Sequence, residues 1–388
     1  MIKKFKFICE PQVFYGNNSV SLLPSIVKET KRKKLLVVVD SNFSKTSFFR
    51  DIEKKLSGEK IDFVVFDKIS GEPTTDIGDE CAEFGKENKC DIVCGIGGGS
   101  SLDVAKASSV IITNGGCVKD YQGLNKVPGP GLPKIMIPTT AGTGSEVTFT
   151  AVFIREDTKE KGGINSPYLY PEYAILDPVL TVSLPTNITS STGLDALCHA
   201  IESYISKNSN FLSESISLCA IKYIWENLPI VYSKDEDLKA REKMLYGSFL
   251  AGLGLVNAGV TAVHSISYPL GGVYRVPHGV GNGLLLPYVL EFDIKKDISY
   301  TVERKLSSIV DIVRSDFKGD EKEKAKFLVD EIKNFLKLFK MPKLRDFNID
   351  KENFSKLAED ALKVSVPIMN NPVAIKKEDI IEIYNNAY

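Results

Sequence analysis

Histidine is scarce in this chain, with only His199, His264 and His278 among 388 residues. All three lie in apolar, glycine-punctuated segments, which is not how imidazoles are scattered over a solvated surface. A charge bias is also missing: 49 Lys and Arg stand against 50 Asp and Glu, for a net charge of −1. Such a balance lacks the basic footprint of a nucleic-acid-binding protein, and the run Lys31-Arg32-Lys33-Lys34 reads as a solvated approach to a strand. No apolar run reaches the roughly 18 residues of a membrane span, and the opening MIKKFKFICEPQVFYG has no signal-peptide core, so a cytoplasmic, membrane-free protein is expected. The seven cysteines (Cys9, Cys81, Cys90, Cys94, Cys117, Cys198, Cys219) are odd in number and show no C-x-x-C spacing, which describes reduced thiols rather than a disulfide framework. No repeat or disordered linker is visible. With 43% hydrophobic residues, the length suits two domains with sizeable cores.

What is present concentrates on the few histidines. In GLDALCHAIESYI, Asp195 and His199 are four residues apart, so a helix projects both from one face about one turn apart. The other two histidines fall in Asn257–Pro287, NAGVTAVHSISYPLGGVYRVPHGVGNGLLLP. Three imidazoles and one carboxylate suit Fe(II) or Zn(II), whereas calcium or magnesium would call for an oxygen-rich set. A coordination position left open to substrate would make such a site catalytic.

The first half alternates short β-branched runs (Leu35–Val39, Phe63–Phe66, Asp91–Ile96, Lys134–Ile137) with helical patterns, the mark of βαβ units around a parallel sheet. After Leu184-Pro185 longer amphipathic segments take over, such as Asn210–Asn227, Asp235–Gly252 and Glu321–Phe339. A boundary there gives an α/β domain over 1–184 and a mainly helical domain over 185–388. Strand Asp91–Ile96 runs into Gly97-Gly98-Gly99-Ser100-Ser101 and then LDVAKASSVII, so bare backbone and the free N–H groups of a helix start offer an anion site suited to a pyrophosphate. The loop Pro138–Thr148 adds five hydroxyl side chains and two glycines able to hydrogen-bond phosphate, ribose or carboxamide. Asp40, ending the LLVVV strand, reads either as a turn residue or as a carboxylate that accepts from a ribose diol and repels a 2′-phosphate.

GGGSSLDVAK, PTTAGTGSEVT, the LDP of residues 176–178, GLDALCHAIESY and VHSISYPLGGVYRVPHGVGNGLLLP occur in one order over nearly the whole chain. Together they resemble the iron-dependent (group III) alcohol dehydrogenases. The resemblance implies a Rossmann-like α/β dinucleotide-binding domain followed by an all-α domain, the dehydroquinate synthase-like/iron alcohol dehydrogenase fold, with a metal in the cleft between them. It implies Asp195, His199, His264 and His278 as metal ligands. For the cofactor it implies Asp40, Gly98, Gly99, Ser100, Thr139, Thr140, Thr143, Thr148, Lys161 and Leu180, with Lys161 near the nicotinamide ribose. A homodimer or higher homo-oligomer is a family-level expectation.

Three residues depart from the family pattern. Ser101 stands where many relatives have Pro, and both suit a first helical turn. Glu72 stands where Asn often precedes Pro73. Tyr268 replaces a second His one turn after His264, a Ser-Tyr-Pro form shared with relatives acting on ω-hydroxy acids, such as 4-hydroxybutyrate dehydrogenases. Tyr268 is accordingly the candidate catalytic side chain. The reaction implied is NAD(H)-linked interconversion of a small primary alcohol, or an ω-hydroxy acid, with its aldehyde. NADP(H) ranks second as cofactor, and the metal, Fe(II) or Zn(II), acts as Lewis acid. The alternatives are a zinc-dependent glycerol or polyol dehydrogenase of the related branch, and a catalytically silent dinucleotide-binding protein. Lys3, Arg155 and Arg275 are cationic candidates for an acidic substrate group.

Overall fold

The structure, a computed structural model, describes residues 4–388. Its strands run in chain order as β1 (Gln12–Tyr15), β2 (Lys34–Asp40), β3 (Asp62–Ile69), β4 (Ile92–Gly97), β5 (Gly123–Leu124), β6 (Lys134–Pro138), β7 (Thr150–Ile154), β8 (Lys161–Asn165) and β9 (Tyr173–Leu176). Six of them pair in parallel in the order β1-β9-β6-β4-β2-β3. The continuous apolar run of β2 is explained by burial on both faces. Leu36 and Val38 join Leu102, Val110 and Met136 on one side, while Leu35, Val37 and Val39 join Leu23, Ile26, Phe49 and Ile52 on the other.

The strand order also fixes where a ligand can lie. From β2 the chain moves outward to β3, then crosses back to β4 on the other flank of β2. The carboxyl ends of β2 and β4 therefore frame a topological switch point, the crevice that open α/β sheets use for ligands. A second sheet, β5-β8-β7, adds an antiparallel β7–β8 hairpin. Sequence patterning read only parallel units here, because β8 is Lys-Gly-Gly-Ile-Asn and two glycines erase the strand signal.

Contacts divide the chain into two compact units, Cys9–Leu184 and a helical unit made of Pro185–Tyr388 with the residues before Cys9. The expected domain over 1–184 thus needs a correction at its start, since residues 4–8 group with the helices. The cause is local: the Ile8 N–H donates to Asn257 Oδ1 at 2.7 Å, Asn257 Nδ2 returns a bond to the Ile8 carbonyl at 2.9 Å, and Phe5 packs edge-on against Phe211. Lys3 lies outside the described residues.

Within the helical unit, small residues set how closely helices approach. A Cβ on Gly193 would come within 2.3 Å of Leu228 Cδ1, so the helix Thr186–Ile205 can press against Phe211–Ser233 only with glycine there. Among the described residues no single helix is long and apolar enough to cross a membrane.

Candidate metal centre and dinucleotide edge

Three helices carry the candidate ligands. Thr186–Ile205 presents Asp195 and His199, Ala262–Tyr274 carries His264 near its start, and His278–Lys296 begins with His278. One ligand atom from each of the four lies within 4.8 Å of all the others. Asp195 Oδ1 is 3.8 Å from His199 Nε2, 4.0 Å from His264 Nε2 and 3.9 Å from His278 Nε2. Metal bonds of about 2.0–2.2 Å to N and O would place neighbouring donors roughly 3.3–3.6 Å apart, so the three Asp195 distances lie a few tenths of an ångström beyond those of a closed set. Asp195, His199 and His264 are buried, whereas the His278 side chain remains 25% exposed. The centre is thus open on the His278 side.

The close approach of His278 depends on the residue that follows it. A Cβ on Gly279 would fall 2.1 Å from the Ser191 carbonyl oxygen, so any larger residue would drive the two ligand helices apart.

The donor set passes a test of chemistry as well as of distance. His264 Nδ1 hydrogen-bonds the carboxylate of Glu202, which is fully buried. That contact keeps the proton on Nδ1 and leaves the Nε2 lone pair facing Asp195, the arrangement that orients metal-bound histidines generally. Asn282 Nδ2 lies 2.7 Å from Asp195 Oδ1, 3.0 Å from His264 Nε2 and 3.3 Å from His278 Nε2. An amide donor beside three acceptor atoms marks the side toward which their lone pairs converge, and these are the lone pairs a cation takes. Burial alone would push the Glu202 carboxyl up, but the His264 ring and the bonds from His264 and Thr261 outweigh it and hold Glu202 below the usual carboxylate range.

Support continues behind this layer. The Thr261 N–H and hydroxyl both donate to Glu202 Oε1 at 2.9 Å, and the Ala262 N–H donates to Asn371 Oδ1 at 3.2 Å, so side chains satisfy the start of the His264 helix. Asn371 in turn donates to Asp293 at 2.7 Å, and burial pushes that acid up to about 8. Glu202 and Asn282 were not singled out from sequence. Their signal was spacing: Glu202 is seven residues after Asp195, and Asn282 four after His278, positions that share a helix face with a ligand.

The other candidate site forms at the switch point. Asp40 has a divided role: its Oδ1 accepts the N–H groups of Asn42 and Phe43 at 3.0 Å, closing a turn, while its Oδ2 lies 3.3 Å from where a Cβ on Gly97 would be. Gly98 caps the helix Gly99–Asn114, whose first turn holds Ser100. Cβ atoms on Gly98 and Gly99 would meet Thr140 at 3.2 Å and Thr143 at 2.7 Å, which brings the two loops together. The Thr139 N–H donates to the Gly97 carbonyl at 2.9 Å. Thr148 is buried and its hydroxyl accepts from Lys106 at 3.3 Å, Lys106 being a fully buried cation that also donates to the Ser145 carbonyl at 3.0 Å. Leu180 sits in the apolar core at 2% exposure.

Lys161 donates to both carboxylate oxygens of Glu72 at 2.9 Å. Tyr268 is half-buried one turn beyond His264, its ring centroid 5.7 Å from that of His278. Of the cationic candidates, Arg155 pairs with Asp157 at 3.0 Å, and Arg275 caps the His264 helix in the left-handed region at φ 56°.

Two family models match, one described as iron-containing alcohol dehydrogenase over residues 10–178, the other as the C-terminal part of the Fe-containing alcohol dehydrogenase family over 189–388. The chain is 36% identical to long-chain-alcohol dehydrogenase 1 of Geobacillus thermodenitrificans (strain NG80-2), across 94% of this chain and 93% of that one. It is 33% identical to the NAD-dependent methanol dehydrogenase of Bacillus methanolicus, across 98% and 99%. Among solved structures, a 1,3-propanediol oxidoreductase superposes with a TM-score of 0.94 at 30% identity, with all of both chains covered. A sulfoacetaldehyde reductase from Bifidobacterium kashiwanohense in complex with NAD+ superposes with 0.87 at 30% identity, covering 99% of each.

Replacing Glu202 by Gln keeps the shape but removes the charge that fixes the His264 ring. Metal affinity, measured by competition with a chelator, is expected to fall about 10- to 100-fold; an unchanged affinity would remove Glu202 from the centre's support.

Proposed function

Because the chain belongs to the iron-containing alcohol dehydrogenase family, enzymes that interconvert alcohols and aldehydes with NAD(H), we propose that it acts on a small primary alcohol or an ω-hydroxy acid, with Fe(II) or Zn(II) held by Asp195, His199, His264 and His278. The observation that carries this reading is the convergence of one carboxylate and three imidazoles on one buried point with one open side. When bound, the metal would supply Lewis-acid polarisation of the substrate oxygen and the nicotinamide the hydride exchange. The protein's own part is positional. Three neutral imidazoles and one carboxylate leave a single negative charge against a divalent ion, and Glu202 holds the His264 ring in place.

On the cofactor side, Gly98, Gly99 and Ser100 would cradle the pyrophosphate at the start of the helix Gly99–Asn114, with Thr139, Thr140 and Thr143 lining the facing loop. Thr148 and Leu180 would shape this site from beneath, being buried. Lys161 would face the nicotinamide-side ribose. Asp40 Oδ2 would accept from the adenosine ribose and set a negative charge against a 2′-phosphate, favouring NADH over NADPH. Tyr268, beside His278 on the open side, would orient substrate or pass the hydroxyl proton, its phenol donating a hydrogen bond. The protein would act in the cytoplasm as a homodimer or higher homo-oligomer.

Chelation is expected to abolish NADH-linked aldehyde reduction, and Fe(II) or Zn(II) to restore it; full turnover by metal-free protein would refute the metal's role. Asp40→Gly should relax the NADH preference, since like charges at close range repel by on the order of 1 kcal/mol even when solvated. Equal use of both cofactors by the wild type would mean that Asp40 does not face the ribose. Tyr268→Phe should lower kcat/KM about 10- to 100-fold with metal content unchanged, whereas near-normal kinetics would reduce Tyr268 to packing.

A further inference from the structure

Glu72, a departure from the family pattern, is used by nothing in the site as read above, yet both its carboxylate oxygens engage Lys161. Lys161 opens β8 directly opposite Ile154 of β7, and its side chain is only 7% exposed. Glu72 lies in the loop that leaves the carboxyl end of β3. The same loop is held a second time, because the Ile154 N–H donates to the Pro73 carbonyl at 2.9 Å and Thr74 bridges to Ile154. One cross-strand pair, Ile154 and Lys161, thus grips the loop by backbone and by side chain. The loop begins beside the switch point, since Ile69 at the end of β3 is the register partner of Asp40.

A lysine has a flexible four-carbon stem and a compact charge, so its ammonium has no built-in direction. Withdrawing that charge from water without a partner is costly, and a carboxylate that meets it through both oxygens removes the cost and fixes the stem. An exposed ion pair of this kind would contribute little to stability. Here the lysine end is largely buried and the carboxylate end is 29% exposed, so the gain lies chiefly in where the ammonium is held.

We infer that Glu72 is the positioning residue for Lys161: it sets the ammonium at the rim of the sheet before the dinucleotide arrives, so that binding need not order a free lysine chain. The inference rests on the assignment of Lys161 to the cofactor made above.

NADH binding to the full-length protein, followed by reduced-nicotinamide fluorescence, tests it with Glu72→Gln, Lys161→Met and the double variant. Glu72→Gln should weaken NADH about tenfold, and Lys161→Met at least as much. The double variant should bind no worse than Lys161→Met, because an effect exerted through Lys161 disappears with it. Glu72→Asp, which keeps the charge, should recover part of the affinity, and the KM for NADH in Glu72→Gln should rise in step with its Kd. Wild-type affinity in Glu72→Gln beside a weakened Lys161→Met overturns the positioning role alone. Wild-type affinity in Lys161→Met overturns it together with the cofactor assignment of that lysine. Losses that multiply in the double variant also overturn it, since Glu72 would then act independently of Lys161.

Discussion

The contact on which the candidate metal centre depends is the hydrogen bond between His264 Nδ1 and Glu202. It fixes the tautomer of one ligand, and it joins two of the three ligand helices, because Glu202 stands on the helix that carries Asp195 and His199. The other oxygen of Glu202 takes the N–H and hydroxyl of Thr261, so one carboxylate both aims the His264 ring and caps the start of its helix. Asn282, one turn beyond His278, lies against Asp195 and the rings of His264 and His278, so the third helix meets the other two at the same point. Buried polar groups arranged this way are costly unless every member is satisfied. Glu202 meets that condition through His264 and Thr261.

Scarcity made part of this centre legible in the sequence. With three histidines in the chain, the choice of nitrogen ligands was nearly forced, and the i, i+4 spacing of Asp195 and His199 predicted a shared helix face. Glu202 was opaque for a physical reason: acidic residues are common on helices, and only the approach of His264 from 62 residues away turns this one into a buried partner. Asn282 was hidden likewise, since an amide within an apolar helix reads as a neutral choice until three ligand atoms surround it.

The α/β unit shows the same division. The parallel sheet was written in continuous β-branched runs such as LLVVV, and its glycine-rich turns marked the edge where the Gly97–Gly99 and Thr139–Thr143 loops meet. The small β5-β8-β7 sheet left no pattern, since Gly162 and Gly163 weaken its middle strand and its register is set by tertiary contact. Asp40 keeps its turn reading, one oxygen accepting the N–H groups of Asn42 and Phe43. Lys106, read only as part of a helical run, turns out to be a buried tie between that helix and the threonine-rich loop.

The central claim is that one ion is bound by three imidazole nitrogens and one carboxylate, with one side open. Substituting Co(II) into metal-free protein and recording its visible absorption tests this directly, because ligand-field bands report coordination number and donor type. The account predicts the intense bands of a low-coordinate nitrogen-rich site, a change in those bands when alcohol is added, and their loss in His264→Ala. A weak spectrum of the hydrated, octahedral type, the same in wild type and in His264→Ala, would contradict it.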